Sequence, residues 1–168
     1  MTVTKRTISL TALALAAAAL SACGGSSSSH TGSGSGSPRD TVSLASVSGV
    51  GKVLVTAKGF ALYSPVQEKS GTIRCTGSCT SIWVPLTING SPTAPSGLKL
   101  GTVMRPDGTT QVTFDGKPLY RFAEDTSPKS VGGNGVSDNF GGKSFTWRVA
   151  SPGKTAPSTG GRGYSYGY

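Results

Sequence analysis

The sequence predicts an all-β fold, a small antiparallel sandwich or barrel built from two degenerate repeats and flanked by a disordered tether and tail. Three observations point there. Turn formers recur at short intervals through the middle of the chain, at Gly49, Gly51, Lys58-Gly59, Asn89-Gly90, Asp107-Gly108 and Asp115-Gly116. Short β-branched and aromatic runs lie between several of them, and no helical periodicity follows the N-terminal apolar segment. Finally, QVTFDGKPLYRFAED (111–125) is echoed without a gap by VLVTAKGFALYSPVQE (53–68), which pairs Tyr63 with Tyr120, Val55 with Val112, Gly59 with Gly116 and Leu62 with Leu119.

The expected strands are 41–48, 52–57, 60–64, 102–105, 109–114, 117–123 and 145–150. Asp115-Gly116 between two alternating runs is the strongest short-range hairpin signal in the chain. Pro106-Asp107-Gly108 presets another corner, with proline fixing φ and glycine free to take positive φ. Strand alternation puts Tyr120 and Phe122 on one face, Leu119 and Arg121 on the other, and Val112 with Phe114 on one face of the facing strand. Aromatics dominate core burial, so these residues, with Trp83 and Trp147 closing the two repeats, are expected inside. The glycine-rich run at 131–135 lacks the lysine and hydroxyl of a phosphate loop and is expected to be a mobile connection.

The chain opens with Lys5-Arg6, an apolar run over 8–20, and Leu20-Ser21-Ala22-Cys23. That order is a secretory signal over 1–22, in the variant whose cysteine receives lipid at the cleavage point. The apolar run is too short for a permanent span. Residues 23–40 then form a lipidated Cys23 and a Gly/Ser tether holding the protein's single histidine, His30, where no partner ligand is near. Residues 41–152 form one β domain, with repeats at about 50–90 and 101–152, and 153–168 is a Gly/Pro/Ser/Thr-rich tail. Losing Lys5 and Arg6 lowers the formal charge from +9 to +7. The expected partners are therefore the membrane, through the lipid, and an anionic wall polymer or an envelope protein. Scattered charge without a basic helix argues against nucleic acid.

If Cys23 carries lipid, Cys75 and Cys79 remain to pair in an oxidising compartment. A structural disulfide is the expected state. The alternatives are a reactive dithiol, although redox pairs favour a two-residue spacer at a helix start, or half of a zinc site, which would need two further ligands.

The run Tyr120-Arg121-Phe122-Ala123-Glu124-Asp125 resembles a bacterial secreted-repeat lipoprotein family defined by a tyrosine, four residues and an aspartate, often with an aromatic two places after the tyrosine. Cys75 and Cys79 followed by Trp83-Val84-Pro85-Leu86, then Arg105-Pro106-Asp107-Gly108, Gly116-Lys117-Pro118-Leu119-Tyr120 and Trp147, extend the resemblance over about 50–152. The first copy departs from it, with Pro65 in the aromatic place and Glu68 in the aspartate place. The resemblance implies an envelope lipoprotein of unknown function.

No catalytic constellation is visible: no Ser/His/Asp set, no Cys/His pair, and adjacent Glu124 and Asp125 that would point apart on a strand. The expectation is a non-enzymatic binding or structural module with no cofactor and no metal; the rival is a thiol-redox or electron-transfer accessory using Cys75 and Cys79. Tyr120 and Asp125, five apart, cannot share a face of a straight strand, so if the motif acts as a unit the strand must end or bulge between Phe122 and Asp125. Asp125 is then expected to cap the following turn by bonding the backbone two residues on, with Glu124 and Asp125 as calcium ligands the competing role.

Overall fold

The computed structural model describes residues 41–153. Ten strands run in chain order: β1 (Val42–Val47), β2 (Gly51–Thr56), β3 (Leu62–Pro65), β4 (Trp83–Pro85), β5 (Leu100–Met104), β6 (Thr110–Phe114), β7 (Lys117–Pro118), β8 (Tyr120–Phe122), β9 (Ser137–Phe140) and β10 (Lys143–Val149). They form a five-stranded sheet ordered β4-β8-β3-β10-β9, a three-stranded sheet β5-β6-β7 and the hairpin β1-β2, all antiparallel. The all-β class and antiparallel pairing follow the expectation.

The Asp115-Gly116 hairpin forms as its residues dictate. Both corner residues take positive φ, 48° and 74°, which matches the twist of the strands they join. Phe114 then faces Lys117 and Thr113 faces Pro118. The expected single strand 117–123 is two strands. Pro118 offers no N–H to extend the ladder. At Leu119 the chain changes sheets: its N–H bonds Val112 in β6, while its carbonyl accepts from Leu86 beyond β4.

Two cores result. Tyr63, Trp83, Tyr120, Phe122, Phe145 and Trp147 form an aromatic cluster on one side of the central sheet. Leu54, Leu62, Val112, Phe114 and Leu119 form an aliphatic one. Val112 and Phe114 therefore pack with Leu119 rather than with Tyr120 and Phe122. Successive residues of β3 enter opposite cores, Leu62 the aliphatic and Tyr63 the aromatic, so that strand is buried on both faces.

Three local expectations are corrected. Residues Cys79–Ile82 form a single helical turn, α1, entered by Gly77 at φ 60°. One turn is too short to register as periodicity. Strands β4 and β9 stand where none was expected; each is only three or four residues long. The run at 131–135 is a fixed loop rather than a mobile one. Gly135 N–H bonds Trp147 O at 2.9 Å, Asn134 Oδ1 accepts from Val149 N at 3.2 Å, and Gly133 lies under Trp83 so closely that a Cβ there would stand 2.8 Å from the ring.

The repeats are related by an approximate twofold through the centre of the sheet. Tyr63 of β3 faces Tyr120 of β8. Trp83, Val84 and Pro85 pair with Phe122, Arg121 and Tyr120; Trp147, Arg148 and Val149 pair with Pro65, Ser64 and Tyr63, their counterparts in the other repeat. Pro65, which departs from the motif's aromatic place, thus occupies the position that Phe122 holds.

Candidate functional site

The motif residues converge on this axis. Each tyrosine bonds the carboxylate of the other repeat. Tyr63 Oη donates to Asp125 Oδ2 at 2.5 Å, and Tyr120 Oη donates to Glu68 Oε2 at 2.7 Å. The second oxygen of each acid then organises the loop that follows its own motif. Asp125 Oδ1 accepts from Ser130 Oγ at 2.8 Å and Gly132 N at 3.0 Å; Glu68 Oε1 accepts from Arg74 N at 2.5 Å and Cys75 N at 2.7 Å. Tyr63, Tyr120 and Glu68 are fully buried and Asp125 is 1% exposed. Such groups are tolerated inside because their hydrogen-bonding capacity is met.

Tyr120 and Asp125 indeed do not meet, as alternation requires, because β8 ends at Phe122. Asp125 is a loop anchor, but its partners are a tyrosine across the axis and residues five and seven positions on, not the backbone two residues later. Glu124 is exposed whereas Asp125 is buried with both oxygens taken by protein donors.

Above the tyrosines the aromatic rings repeat the symmetry. Phe122, Trp83, Trp147 and Phe145 stack in that order, with Trp83 and Trp147 nearly parallel at 3.8 Å. Tyr63 meets Trp83 edge-on at 5.5 Å, and Tyr120 meets Trp147 edge-on at 5.2 Å. One residue breaks the symmetry. Asp138 of β9 accepts from both indoles, Trp83 Nε1 at 2.7 Å on Oδ2 and Trp147 Nε1 at 3.1 Å on Oδ1. Burial raises the Asp138 carboxyl above its ordinary range, and the two indole donors pull it partly back. Burial likewise raises both tyrosine hydroxyls well above their usual value, and the facing carboxylates add to the shift.

Arg105, 3% exposed, closes the Glu68 side. It donates to Gln111 Oε1 at 2.5 Å and Cys75 O at 3.0 Å, pairs with Asp107 at 3.4 Å, and lies 6.0 Å from the Tyr120 ring centre. Cys75 and Cys79 are joined as a disulfide with Cα atoms 5.4 Å apart, and both are buried in the aromatic core. Cys23 lies outside the described residues. Asp138, Gln111 and the internal position of Arg105 were not foreseen. Asp138 alternates with Phe140 toward the core, a faint sign in a strand otherwise reading SDNF.

Residues 101–150 match a family described as a secreted repeat of unknown function. The second repeat is thus similar to that family, and the description of the family as secreted supports an extracytoplasmic location. No curated protein and no solved structure matches the chain.

Proposed function

We propose that this protein is a lipid-anchored, extracytoplasmic envelope module that binds anionic envelope components without catalysing a reaction. The observation that carries this reading is where the charges go. Of the six carboxylates in residues 41–153, Glu68, Asp125 and Asp138 are buried, which leaves Asp107, Asp115 and Glu124 outside. Against them stand Lys52, Lys58, Lys69, Arg74, Lys99, Lys117, Lys129, Lys143 and Arg148, all exposed. A modest excess of basic residues in sequence becomes a strongly cationic surface, suited to wall polymers or anionic headgroups.

The polar chemistry that could resemble a catalytic site is spent on holding the repeats together, which supports a binding role. The buried disulfide weighs against the thiol-redox rival, because exchange requires a thiolate to reach a sulfur. The lipid anchor rests on the Leu20-Ser21-Ala22-Cys23 junction.

Two measurements test the reading. Cys23→Ser should move the protein from the membrane fraction to the soluble one. The Cys23→Ser mature chain should also sediment with anionic wall polymer or anionic vesicles at low salt and release as ionic strength rises. Equal partition of wild type and Cys23→Ser, or no salt-sensitive binding, would overturn it.

A further inference from the structure

Positions related by the twofold carry different side chains beside Arg121 and beside Ser64, and a cleft lies beside Ser64. On one side of the axis Arg121 pairs with Val84, and its guanidinium lies over the Phe60 ring, 5.4 Å from the centre. Under the twofold, Ser64 stands for Arg121, Arg148 for Val84, and Lys117 for Phe60. The backbone beneath is alike: Lys129 N–H bonds Gly59 O at 2.9 Å, as Gly71 N–H bonds Gly116 O at 2.7 Å. The side chains are not. A short serine replaces the long arginine and turns its hydroxyl inward to Pro118 O, at 2.7 Å. A cleft of about 250 Å³ is found here, lined by Phe114, Val149 and Ala150 and by the charged Lys117, Arg148 and Asp115.

We infer that this cleft is the ligand-binding site of the domain and that it takes a phosphate group borne on a small polyol or sugar. The inference rests on the envelope-binding reading above and names its site. Neither Lys117 nor Arg148 forms an ion pair among the described residues, where Arg105–Asp107 is the salt bridge. Two cations lining one cleft, one of them a planar fork of donors, match a phosphate's several oxygens and its charge. Asp115 also lines the cleft and opposes an anion, so binding requires both cations to outweigh it. The volume lies just below the range of ordinary small-molecule pockets, which suits one phosphorylated unit rather than a large ligand. The apolar floor of Phe114 and Ala150 accepts the carbon face of a polyol.

The test is titration of the mature Cys23→Ser chain with glycerol 3-phosphate, followed by amide chemical shifts and calorimetry, and in parallel with phosphatidylglycerol and phosphatidylcholine vesicles. Saturable binding should shift the amides of Ser64, Lys117 and Arg148. Arg148→Gln and Lys117→Gln, both at exposed positions, should each weaken it about tenfold or more. Ser64→Arg copies the residue that stands in its place across the axis. It adds a positive charge yet should abolish binding, whereas diffuse attraction would strengthen it. If Ser64→Arg lowers the melting temperature sharply, Arg148→Gln carries the test alone. Phosphatidylglycerol binding that depends on Arg148, with no response to glycerol 3-phosphate, keeps the phosphate site and assigns its source to headgroups. Binding indifferent to Arg148→Gln, or enhanced by Ser64→Arg, overturns the cleft and leaves the envelope-binding reading standing. Failure to bind either probe at low salt overturns both.

Discussion

The crossed pairing of tyrosines and carboxylates can be tested by asking which residues are coupled. Asp125→Ala removes the acceptor for Tyr63 Oη, Ser130 Oγ and Gly132 N. Ser130 and Gly132 lie near enough to solvent to find water, but Tyr63 is fully buried. A stranded buried donor costs about 1–3 kcal/mol and the lost charged bonds add to it, giving a destabilisation of about 2–4 kcal/mol. Glu68→Ala strands two fully buried donors, Cys75 N–H and Tyr120 Oη, and should cost about 3–5 kcal/mol. Double-mutant cycles then decide the geometry. Tyr63→Phe with Asp125→Ala, and Tyr120→Phe with Glu68→Ala, should each give a coupling energy of about 1.5–3 kcal/mol. The pairs within one motif, Tyr63 with Glu68 and Tyr120 with Asp125, should couple by no more than about 0.5 kcal/mol. Urea unfolding followed by tryptophan fluorescence, with the disulfide kept oxidised, supplies the free energies. Coupling larger within motifs than between them would refute the crossed arrangement.

Other outcomes follow from the same network. Asp125→Asn should cost no more than about 1 kcal/mol, because the amide oxygen can keep the Tyr63 hydroxyl while the half-exposed Ser130 hydroxyl reverses to accept from the amide N–H and exposed Gly132 finds water. Asp138→Asn should cost about 1–3 kcal/mol, because an indole N–H can only donate and one of the two is left facing an amide N–H. Chemical denaturation would show the two variants equal if this difference between hydroxyl and indole were irrelevant. Tyr63 and Tyr120 have folded-state values raised above the unfolded one, so their contribution is complete below about pH 10 and is lost as pH rises beyond it. Each should steepen alkaline destabilisation by roughly 1–2 kcal/mol per pH unit. Phenolate absorbance should show two of the five tyrosines silent until unfolding, and one in Tyr63→Phe. Gly133→Ala should cost about 1–3 kcal/mol by driving a methyl into Trp83, read as a lower urea midpoint.

Much of the frame was legible in the residues alone. Asp115-Gly116 specified its hairpin because positive φ at both corners is a local demand that few residue types meet. The ungapped match of Tyr63 with Tyr120 announced two related units, and period-two alternation required that Tyr120 and Asp125 serve different places. What alternation could not supply was the partner. Hydrogen bonds from Tyr63 to Asp125 and from Tyr120 to Glu68 join positions more than fifty residues apart, and only the antiparallel pairing of β3 with β8 brings each motif's tyrosine to the other's acid. The glycine run at 131–135 read as mobile because its composition is that of a linker; its immobility comes from Asp125, Trp83 and Trp147, all distant in sequence or across the core. Asp138 left only the faint sign of its alternation with Phe140, since an aspartate acquires meaning only when two indoles converge on it. The cleft is the furthest from sequence. Its existence depends on Ser64 standing where the twofold puts Arg121, a comparison that no linear pattern makes until the sheet has closed and burial has sorted the charges into inside and outside.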